Sequence, residues 1–199
     1  MKKQPDQAIY QKKKEQLIEL ARLENIGEID LFFTDETGFN LTPNIPYGWQ
    51  PIGEQWTIRS SKTKVTNLFG LMSQRGQLQV YASLENIDSI FIIECIDDFI
   101  KSIQKPTVLV MDNAPWHKAK RVLDKQKHWQ EKGLFLFFLP PYSPHLNLIE
   151  TLWRKIKYEW LRSKDYESAK TLKNAIFNII RKFDDEFSIN FSKNFLNYS

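Results

Sequence analysis

Val108-Leu109-Val110-Met111-Asp112 is a run of four apolar residues that ends in an acid, with Pro106 shortly before it and Asn113 directly after it. Such a run is typical of a short strand that is buried on both faces of a sheet. An Asx turn leaving the strand would explain the acid without any catalysis. The carboxyl end of a buried parallel strand is, however, where α/β sheets place their ligands, so Asp112 is a candidate functional residue.

The sequence on either side of this strand predicts a mixed sheet. Apolar runs and turn signals predict five strands, of which the second and third form a hairpin, at residues 29–35, 64–73, 77–83, 107–111 and 134–139. Helical spacing predicts helices at residues 6–24, 88–104, 116–132, 147–163 and 168–183. The proline- and glycine-rich residues 38–62 predict turns and short extended pieces. Strands joined through helices favour parallel neighbours, so we expect a five-stranded α/β sheet with helices on both faces and an antiparallel edge.

Length and composition indicate an ordinary globular domain. The 199 residues are 42% hydrophobic and 26% charged, which suffices for one sizeable core. The longest apolar run, residues 134–139, is far too short to span a bilayer, and no apolar signal segment follows the first residues. Cys95 is the only cysteine, which excludes an internal disulfide and a cysteine-based zinc site and favours a reducing compartment.

The basic residues occur in three groups, two of which directly follow acidic motifs. The formal net charge is +4, which is compatible with an anionic partner and equally with solvated helix faces. The groups are Lys2, Lys3, Lys12, Lys13 and Lys14; Lys118, Lys120, Arg121, Lys125 and Lys127; and Arg154, Lys155, Lys157, Arg162 and Lys164.

A second acid, Asp35, follows a Phe-rich apolar run. Period-two alternation puts Leu31, Phe33 and Asp35 on one side of this strand and Glu36 on the other, so the two adjacent acids should not point into one site. The alternative is that Asp35 merely initiates a turn before Gly38.

A third acid, Glu150, opens a predicted helix that follows the proline-rich residues 140–144. Asn147 as the N-cap with Glu150 three residues later resembles a capping box. Such a box stabilises a helix end by about 1 kcal/mol and needs no active site. Taken alone, this explanation of Glu150 is the simpler one.

Considered together, the three acids predict a metal site. Parallel neighbouring strands would bring Asp35 and Asp112 together at adjacent strand ends, and a helix packed on that edge could supply Glu150. Without a cation, three converging carboxylates would repel one another. Oxygen ligands of this kind suit Mg²⁺ or Mn²⁺, and a pair of such ions about 4 Å apart serves in-line displacement at phosphorus. His117 is placed to contact a phosphate or to support the site.

Three motifs, in this order, resemble those of the DDE transposases of bacterial insertion sequences related to the mariner superfamily. The first is Asp35-Glu36-Thr37-Gly38-Phe39, continued by residues 46–54, and the second is Asp112-Asn113-Ala114-Pro115-Trp116-His117. The third runs from Leu139 through the Pro-Pro-Tyr-Ser-Pro sequence to Asn147 and Glu150. The 37 residues between the second and third acids fall among the spacings of these enzymes.

The resemblance implies a ribonuclease H-like fold and a catalytic, metal-binding triad of Asp35, Asp112 and Glu150 that holds two Mg²⁺ or Mn²⁺ ions. It implies cleavage at transposon ends followed by strand transfer into target DNA, usually at TA dinucleotides, by a homodimer on the paired ends. A cytoplasmic, nucleoid-associated bacterial location follows from the same resemblance. The candidate DNA contacts are His117, Lys118, Lys120, Arg121, Arg154 and Lys157.

Two departures from the family pattern stand out. Leu148 occupies a position that is often proline in the family, and the chain opens on a linker-like helix where a helix-turn-helix region is usual. A separately encoded helix-turn-helix part is therefore an expected partner, whereas a membrane is not. We predict a helical arm at residues 1–26, the catalytic domain at 27–185 and a tail at 186–199. The alternatives are a ribonuclease H-like nuclease without strand transfer and a co-opted, non-catalytic DNA-binding remnant.

Overall fold

Five strands form one mixed sheet in the computed structural model, which describes residues 6–43, 52–53, 61–114, 117, 119–189 and 191. The strands are β1 (Asp30–Leu41), β2 (Ser61–Ser73), β3 (Leu78–Ser83), β4 (Thr107–Met111) and β5 (Leu134–Phe138). They lie in the order β3-β2-β1-β4-β5. The hairpin partners β2 and β3 are antiparallel, as are β1 and β2, whereas β4 is parallel to both β1 and β5.

One helix precedes the sheet in the described chain, and the other helices follow β3, β4 and β5. The α-helices are α1 (Gln7–Asn25), α2 (Ser89–Phe99), α3 (Lys120–Glu131), α4 (Ile149–Lys155) and α5 (Ala169–Arg181). A π-helical turn, Ile156–Trp160, continues α4, and short 3-10 turns precede and follow this pair at Pro144–Leu146 and Ser163–Glu167. Asp6, Asp88 and Ser168 cap α1, α2 and α5, because their side chains accept hydrogen bonds from N–H groups of the first turn.

Alternation along the strands produces an apolar layer on each face of the sheet. Leu31 and Phe33 of β1 pack on the side of α4 and α5, whereas Phe32, between them, packs on the side of α2 and α3. Strand β4, which lies between β1 and β5, is buried along its whole length. Helices cover both faces because each face of the sheet is apolar.

The expected mixed five-stranded sheet with helices on both faces is confirmed. The strand at residues 107–111 has the predicted bounds, and the hairpin lies where it was expected. The first strand is longer than predicted, since β1 continues through Gly38 to Leu41, paired with β2. Of the turns and short extended pieces predicted for residues 38–62, the structure has an extended piece through Leu41, so a turn there is wrong. Most of the remainder lies outside the described residues. The predicted helix 147–163 is instead α4 with its π-helical continuation.

The N-terminal helix α1 contributes to the core next to β1. Leu17 is fully buried in the cluster on the α4 side of the sheet, and Glu24 is buried near the end of the helix. The domain boundaries at residues 26 and 185 stay predictions. No helix in the described part of the chain has the length and apolar character needed to cross a membrane.

Candidate active site

Asp35 and Asp112 come from neighbouring parallel strands in matching register. The ladder between β1 and β4 ends with Phe33 opposite Val110, and the same register reaches Asp35 and Asp112 two residues later. The buried Thr34 hydroxyl donates to the Val110 carbonyl at 3.4 Å, which continues the contact between the strands. Asp35 therefore lies within β1 and Asp112 directly after β4. The explanation of Asp35 as a turn-initiating residue is wrong.

Asn147 attaches the segment that carries Glu150 to strand β1. Its side-chain amide donates to the Thr34 carbonyl at 3.0 Å, and the residue is buried. Thr34 is the neighbour of Asp35 in β1. Because Glu150 lies in the first turn of α4, three residues after Asn147, this bond places it beside the edge that carries the two aspartates.

The capping-box explanation of Glu150 is wrong. Leu148 occupies the N-cap position of α4 and makes no capping hydrogen bond through its side chain. The Asn147 amide is used on Thr34 instead, and Glu150 contacts Asn147 only through a backbone bond, in which its N–H donates to the Asn147 carbonyl at 3.2 Å. The Glu150 carboxylate is therefore not engaged in closing the helix end.

The three carboxylates influence one another electrostatically. Burial raises the pKa of Asp35 to about 8, and the negative charges of Glu150, Glu36 and Asp112 add to this rise. Partial desolvation of its carboxyl also raises the pKa of Glu150, with a contribution from Asp112, although Glu150 is exposed as a residue. The charges of Asp112 and Glu150 thus both act on Asp35, which links the three acids of the predicted triad electrostatically.

His117 bridges Asp112 to Glu36. Its Nδ1 lies 2.7 Å from Asp112 Oδ1, its Nε2 lies 2.6 Å from Glu36 Oε1, and its side chain is fully buried. Burial by itself would lower the pKa of His117, but the hydrogen bonds to Asp112 and Glu36 and their charges raise it to about 9. At neutral pH the ring is therefore an imidazolium, and each ring N–H donates to one carboxylate.

The same bridge acts on Asp112. Burial alone would raise the pKa of Asp112, but the hydrogen bond from His117 and another from the Ala114 N–H, together with the charge of His117, lower it below its usual value. At neutral pH Asp112 is thus a carboxylate, whereas the raised pKa of Asp35 favours its protonated form. The hydrogen bond from the Ala114 N–H, at 2.8 Å, forms the predicted Asx turn. Asp112 therefore both makes this turn and belongs to the candidate site.

Lys157 faces the triad from the π-helical turn after α4. Burial lowers the pKa of Lys157, and the charges of Glu150 and Asp35 act in the opposite direction. Its ammonium lies 5.4 Å from the centre of the Phe39 ring on β1. Lys157 is therefore a cation that partly compensates the charge of Glu150 and Asp35.

Two grooves meet at Glu150. One, of about 510 Å³, is lined by residues of α4 and the π-helical turn, including Arg154, Lys157 and Tyr158. The other, of about 480 Å³, is lined by Asp112 and by the loop that contains Tyr142. Asn147 and Glu150 line both. A linear polymer bound in both grooves would lie next to Asp112 and Glu150, with basic and aromatic side chains beside it.

The donor set of this site fits a divalent cation. Asp35, Asp112 and Glu150 offer the carboxylate oxygens that Mg²⁺ and Mn²⁺ prefer, and a cation would relieve the repulsion that contributes to the raised pKa of Asp35. Among the residues the structure describes, no three Asp, Glu, His or Cys side chains are close enough to hold an ion as they stand. Binding an ion would therefore require these side chains to draw closer together.

The predicted DNA contacts are distributed unevenly around the site. Arg154 and Lys157 line a groove beside Glu150, and Lys120 and Arg121 are exposed at the start of α3. Lys118 lies outside the described residues. Both ring nitrogens of His117 contact carboxylates in this arrangement, and its contact with DNA stays a prediction.

Glu36 is the site residue that sequence reasoning missed. Alternation correctly placed it on the opposite face of β1 from Asp35, and for that reason it was set aside. Glu36 is connected to the site by its contact with His117, 81 residues away in sequence. The available signal was the presence of one histidine shortly after Asp112, and it did not identify the partner.

Comparison with known proteins points to one enzyme family. The sequence profile of the DDE superfamily endonucleases matches residues 30–173. A protein of Sinorhizobium fredii (strain NBRC 101917 / NGR234) named "Uncharacterized protein y4pE/y4sA" is 38% identical over 74 residues, which are 36% of this chain and 50% of the relative. The chain thus spans about half the length of this curated relative.

The fold is similar to that of Mos1 transposase. This chain superposes on the Mos1 transposase of the paired-end complex with left transposon end with a TM-score of 0.63 and 16% sequence identity. The alignment covers 94% of this chain and 59% of the Mos1 chain. On the crystal structure of the catalytic domain of Mos1 mariner transposase it superposes with a TM-score of 0.58 and 16% identity, and the alignment covers 94% of this chain and 88% of that domain. At this identity the likeness shows the ribonuclease H-like fold.

Proposed function

Since that profile covers most of the chain, the protein belongs to the DDE superfamily endonucleases, and we propose that it is the catalytic domain of a transposase. It would cut DNA at transposon ends and transfer the freed 3′ end into target DNA. The observation that carries the proposal is the meeting of Asp35, Asp112 and Glu150, from three separate elements, at one edge of the sheet.

Two divalent ions, Mg²⁺ or Mn²⁺, would be held by Asp35, Asp112 and Glu150. Solved complexes of Mos1 contain Mn and Mg, which supports this choice of ion. When bound, such a pair of ions activates the attacking oxygen and stabilises the leaving oxygen of an in-line displacement at phosphorus. The polypeptide itself would supply the carboxylates, the support of Asp112 by His117, and the groove that holds DNA.

The DNA would lie along the two grooves that meet at Glu150. Arg154 and Lys157 are placed to contact phosphates on one side of Glu150, and Tyr142, on the loop lining the other groove, is 63% exposed. Basic side chains give sequence-independent affinity, whereas recognition of particular transposon ends needs base contacts. End recognition would therefore come from a helix-turn-helix part, on a partner chain or elsewhere in a longer protein, and a homodimer would act on paired ends with insertion at TA.

The test compares matched variants of the full chain on two DNA substrates. Asp112→Asn keeps an oxygen that can accept the His117 bond, and Glu150→Gln keeps the shape of its side chain. Glu131→Gln, at the exposed end of α3, is the control. Nicking of a supercoiled plasmid reports cleavage, and joining of an oligonucleotide duplex with a free 3′-hydroxyl to that plasmid reports strand transfer.

We expect both reactions to require Mg²⁺ or Mn²⁺ and to stop on chelation. Asp112→Asn and Glu150→Gln should lower the rates by about a thousandfold, which corresponds to about 4 kcal/mol of transition-state stabilisation. DNA binding should survive, and Glu131→Gln should act like wild type. Cleavage without joining would favour a nuclease, and DNA binding without either reaction would favour a non-catalytic remnant. Full activity in both triad variants would overturn the assignment.

A further inference from the structure

Glu36 is connected to the acid Asp112 through one buried side chain. His117 contacts Glu36 Oε1 at 2.6 Å and Asp112 Oδ1 at 2.7 Å, and no part of the His117 side chain reaches solvent. Glu36 is itself largely buried, with a side chain 15% exposed, whereas the Asp112 side chain is 48% exposed. The bridge therefore runs from a fixed side chain in the sheet to a more exposed one at the site.

The bridge holds one particular oxygen of Asp112. The contacts of this carboxylate with His117 and with the Ala114 N–H are both made by Oδ1. Within the described residues Oδ2 accepts no hydrogen bond. A carboxylate fixed through one oxygen has a defined orientation, so its other oxygen is presented in a constant direction. Without the bridge, only the Asx turn would restrain the Asp112 side chain.

The position of Glu36 in β1 makes it a rigid support. Strand β1 is paired with β2 at Glu36, which lies opposite Phe69 in that ladder, and the parallel ladder with β4 ends three residues earlier, at Phe33. Asp112 and His117, by contrast, belong to the segment between β4 and α3. A side chain on a strand that is paired within the sheet can thus fix the orientation of a side chain on a loop.

A purely structural explanation of the bridge is possible and differs in its consequences. A buried ion pair often adds little net stability, because desolvation offsets the attraction, yet removing one partner leaves a buried charge behind. If Glu36 served only to pair His117, its loss would lower the free energy of unfolding and leave the ion-binding properties of correctly folded protein unchanged.

We propose that Glu36 is a positioning residue for the metal site, which fixes Asp112 through His117 so that Asp112 is oriented for ion binding. Asp35 and Glu36 then serve the same site from opposite faces of β1, Asp35 directly and Glu36 through the histidine. The inference rests on the proposed function, since it assumes that Asp112 binds an ion.

The experiment compares Glu36→Met with Glu36→Gln in the full chain. Both replacements fill nearly the same volume as glutamate, but only glutamine offers an oxygen that can accept the His117 Nε2–H. Asp30→Asn, on the same strand and paired with Lys105 at 3.2 Å, is the control for losing an acid from β1. The measurements are Mn²⁺ affinity by calorimetry on the protein alone, cleavage as a function of Mg²⁺ concentration, the KM for DNA, and urea denaturation.

Supporting side chains behind metal ligands typically change affinity or activity by 10- to 100-fold. We expect Glu36→Met to weaken Mn²⁺ binding at least tenfold and to raise the Mg²⁺ requirement similarly, with the KM for DNA within twofold of wild type. Glu36→Gln should recover most of the affinity, and Asp30→Asn should match wild type. If Glu36→Met does not fold, Glu36→Thr takes its place, because threonine suits a strand and is too short to reach His117.

Wild-type Mn²⁺ affinity in folded Glu36→Met, or equal losses in the Met and Gln variants, would overturn the positioning role. Either result would leave the proposed function standing, provided that Asp112→Asn still abolishes cleavage. If both Asp112→Asn and Glu150→Gln cleave like wild type, the proposed function fails, and the positioning role fails with it.

Discussion

Gly70 lies directly opposite Asp35 in the antiparallel ladder between β1 and β2. A Cβ atom at Gly70 would come within 2.8 Å of both the Ile149 and the Trp153 side chains of α4. The missing side chain thus admits the helix to close contact with the sheet at the level of Asp35. Since Glu150 lies between these two residues in sequence, we expect the close contact at Gly70 to hold Glu150 near Asp35.

Replacing Gly70 with alanine should displace α4 from the sheet. Overpacking of a tight contact costs about 1–3 kcal/mol, whereas alanine in a strand gains roughly 0.5–1 kcal/mol over glycine. The clash should win, because the neighbouring Trp153 ring is buried and has little room to move. We expect a lower free energy of unfolding in urea and a loss of cleavage larger than the loss of folded protein explains.

The control for this change is Gly38→Ala on β1. A Cβ atom there would meet only the Asn67 side-chain oxygen, at 3.0 Å, and Gly38 is exposed. Its effect on stability should be smaller, and its effect on cleavage should follow stability alone. Equal specific activities of the two folded variants would contradict the role assigned to Gly70.

The parts of the fold that the sequence predicted are those with local signals. The strand at residues 107–111 is bounded by Pro106 and by a polar Asx turn, and its burial follows from four consecutive apolar residues. The extension of β1 through Gly38 had no such signal. Gly38 pairs with Asn67 of β2, and a pairing partner 29 positions away cannot be read from turn residues.

The site divides in the same way. Strand order and alternation were enough to bring Asp35 and Asp112 to one edge of the sheet. Asn147 was assigned to a helix cap because local spacing favoured it, but tertiary packing directs its amide to the Thr34 carbonyl. Glu36 was set aside by a correct alternation argument, because a bridge through a third side chain is invisible to pairwise reasoning along one strand.

Arg154 should contribute to DNA affinity without sequence preference. It is exposed and lines the groove beside Glu150. Arg154→Ala should weaken DNA binding about equally for all sequences and reduce the salt slope of log K by about one. Fluorescence anisotropy at several salt concentrations measures both. Lys170→Ala, on the exposed start of α5, should leave the slope unchanged, and an unchanged slope in Arg154→Ala would remove this residue from the DNA path.

Stability should fall between about pH 4.5 and pH 7 because of Glu24. This residue is 1% exposed, and neither carboxyl oxygen has a hydrogen-bond partner among the described residues. Burial raises the pKa of Glu24 from 4.5 to about 7, against the opposing charge of Arg75. The folded state therefore favours the protonated acid: no stability is lost below the unfolded pKa, and the loss grows as pH rises through the folded pKa and then levels off.

Glu24→Gln isolates that contribution. A shift of this size corresponds to up to about 3 kcal/mol, so the variant should gain roughly 1–3 kcal/mol over wild type at pH 8 and little at pH 4. Urea denaturation across this range measures the difference. Glu28→Gln, an exposed acid just after α1, should follow wild type at every pH. A constant difference between Glu24→Gln and wild type would mean that Glu24 ionises normally in the folded protein.

Asn147→Ala should affect catalysis more than its stability cost suggests. The change removes the 3.0 Å bond to the Thr34 carbonyl, a buried interaction whose loss costs about 1–3 kcal/mol. It also frees the start of α4, next to Glu150, from the strand that carries Asp35, and small misplacements of catalytic groups can cost about a hundredfold in rate. The control is Ser143→Ala, at a buried polar residue of the same loop whose hydroxyl donates to the nearby Pro141 carbonyl. The measurement is the cleavage rate per folded molecule. A large loss in Asn147→Ala alone supports the role of Asn147 in placing Glu150. Equal rates in the two variants would mean that Asn147 contributes to stability only.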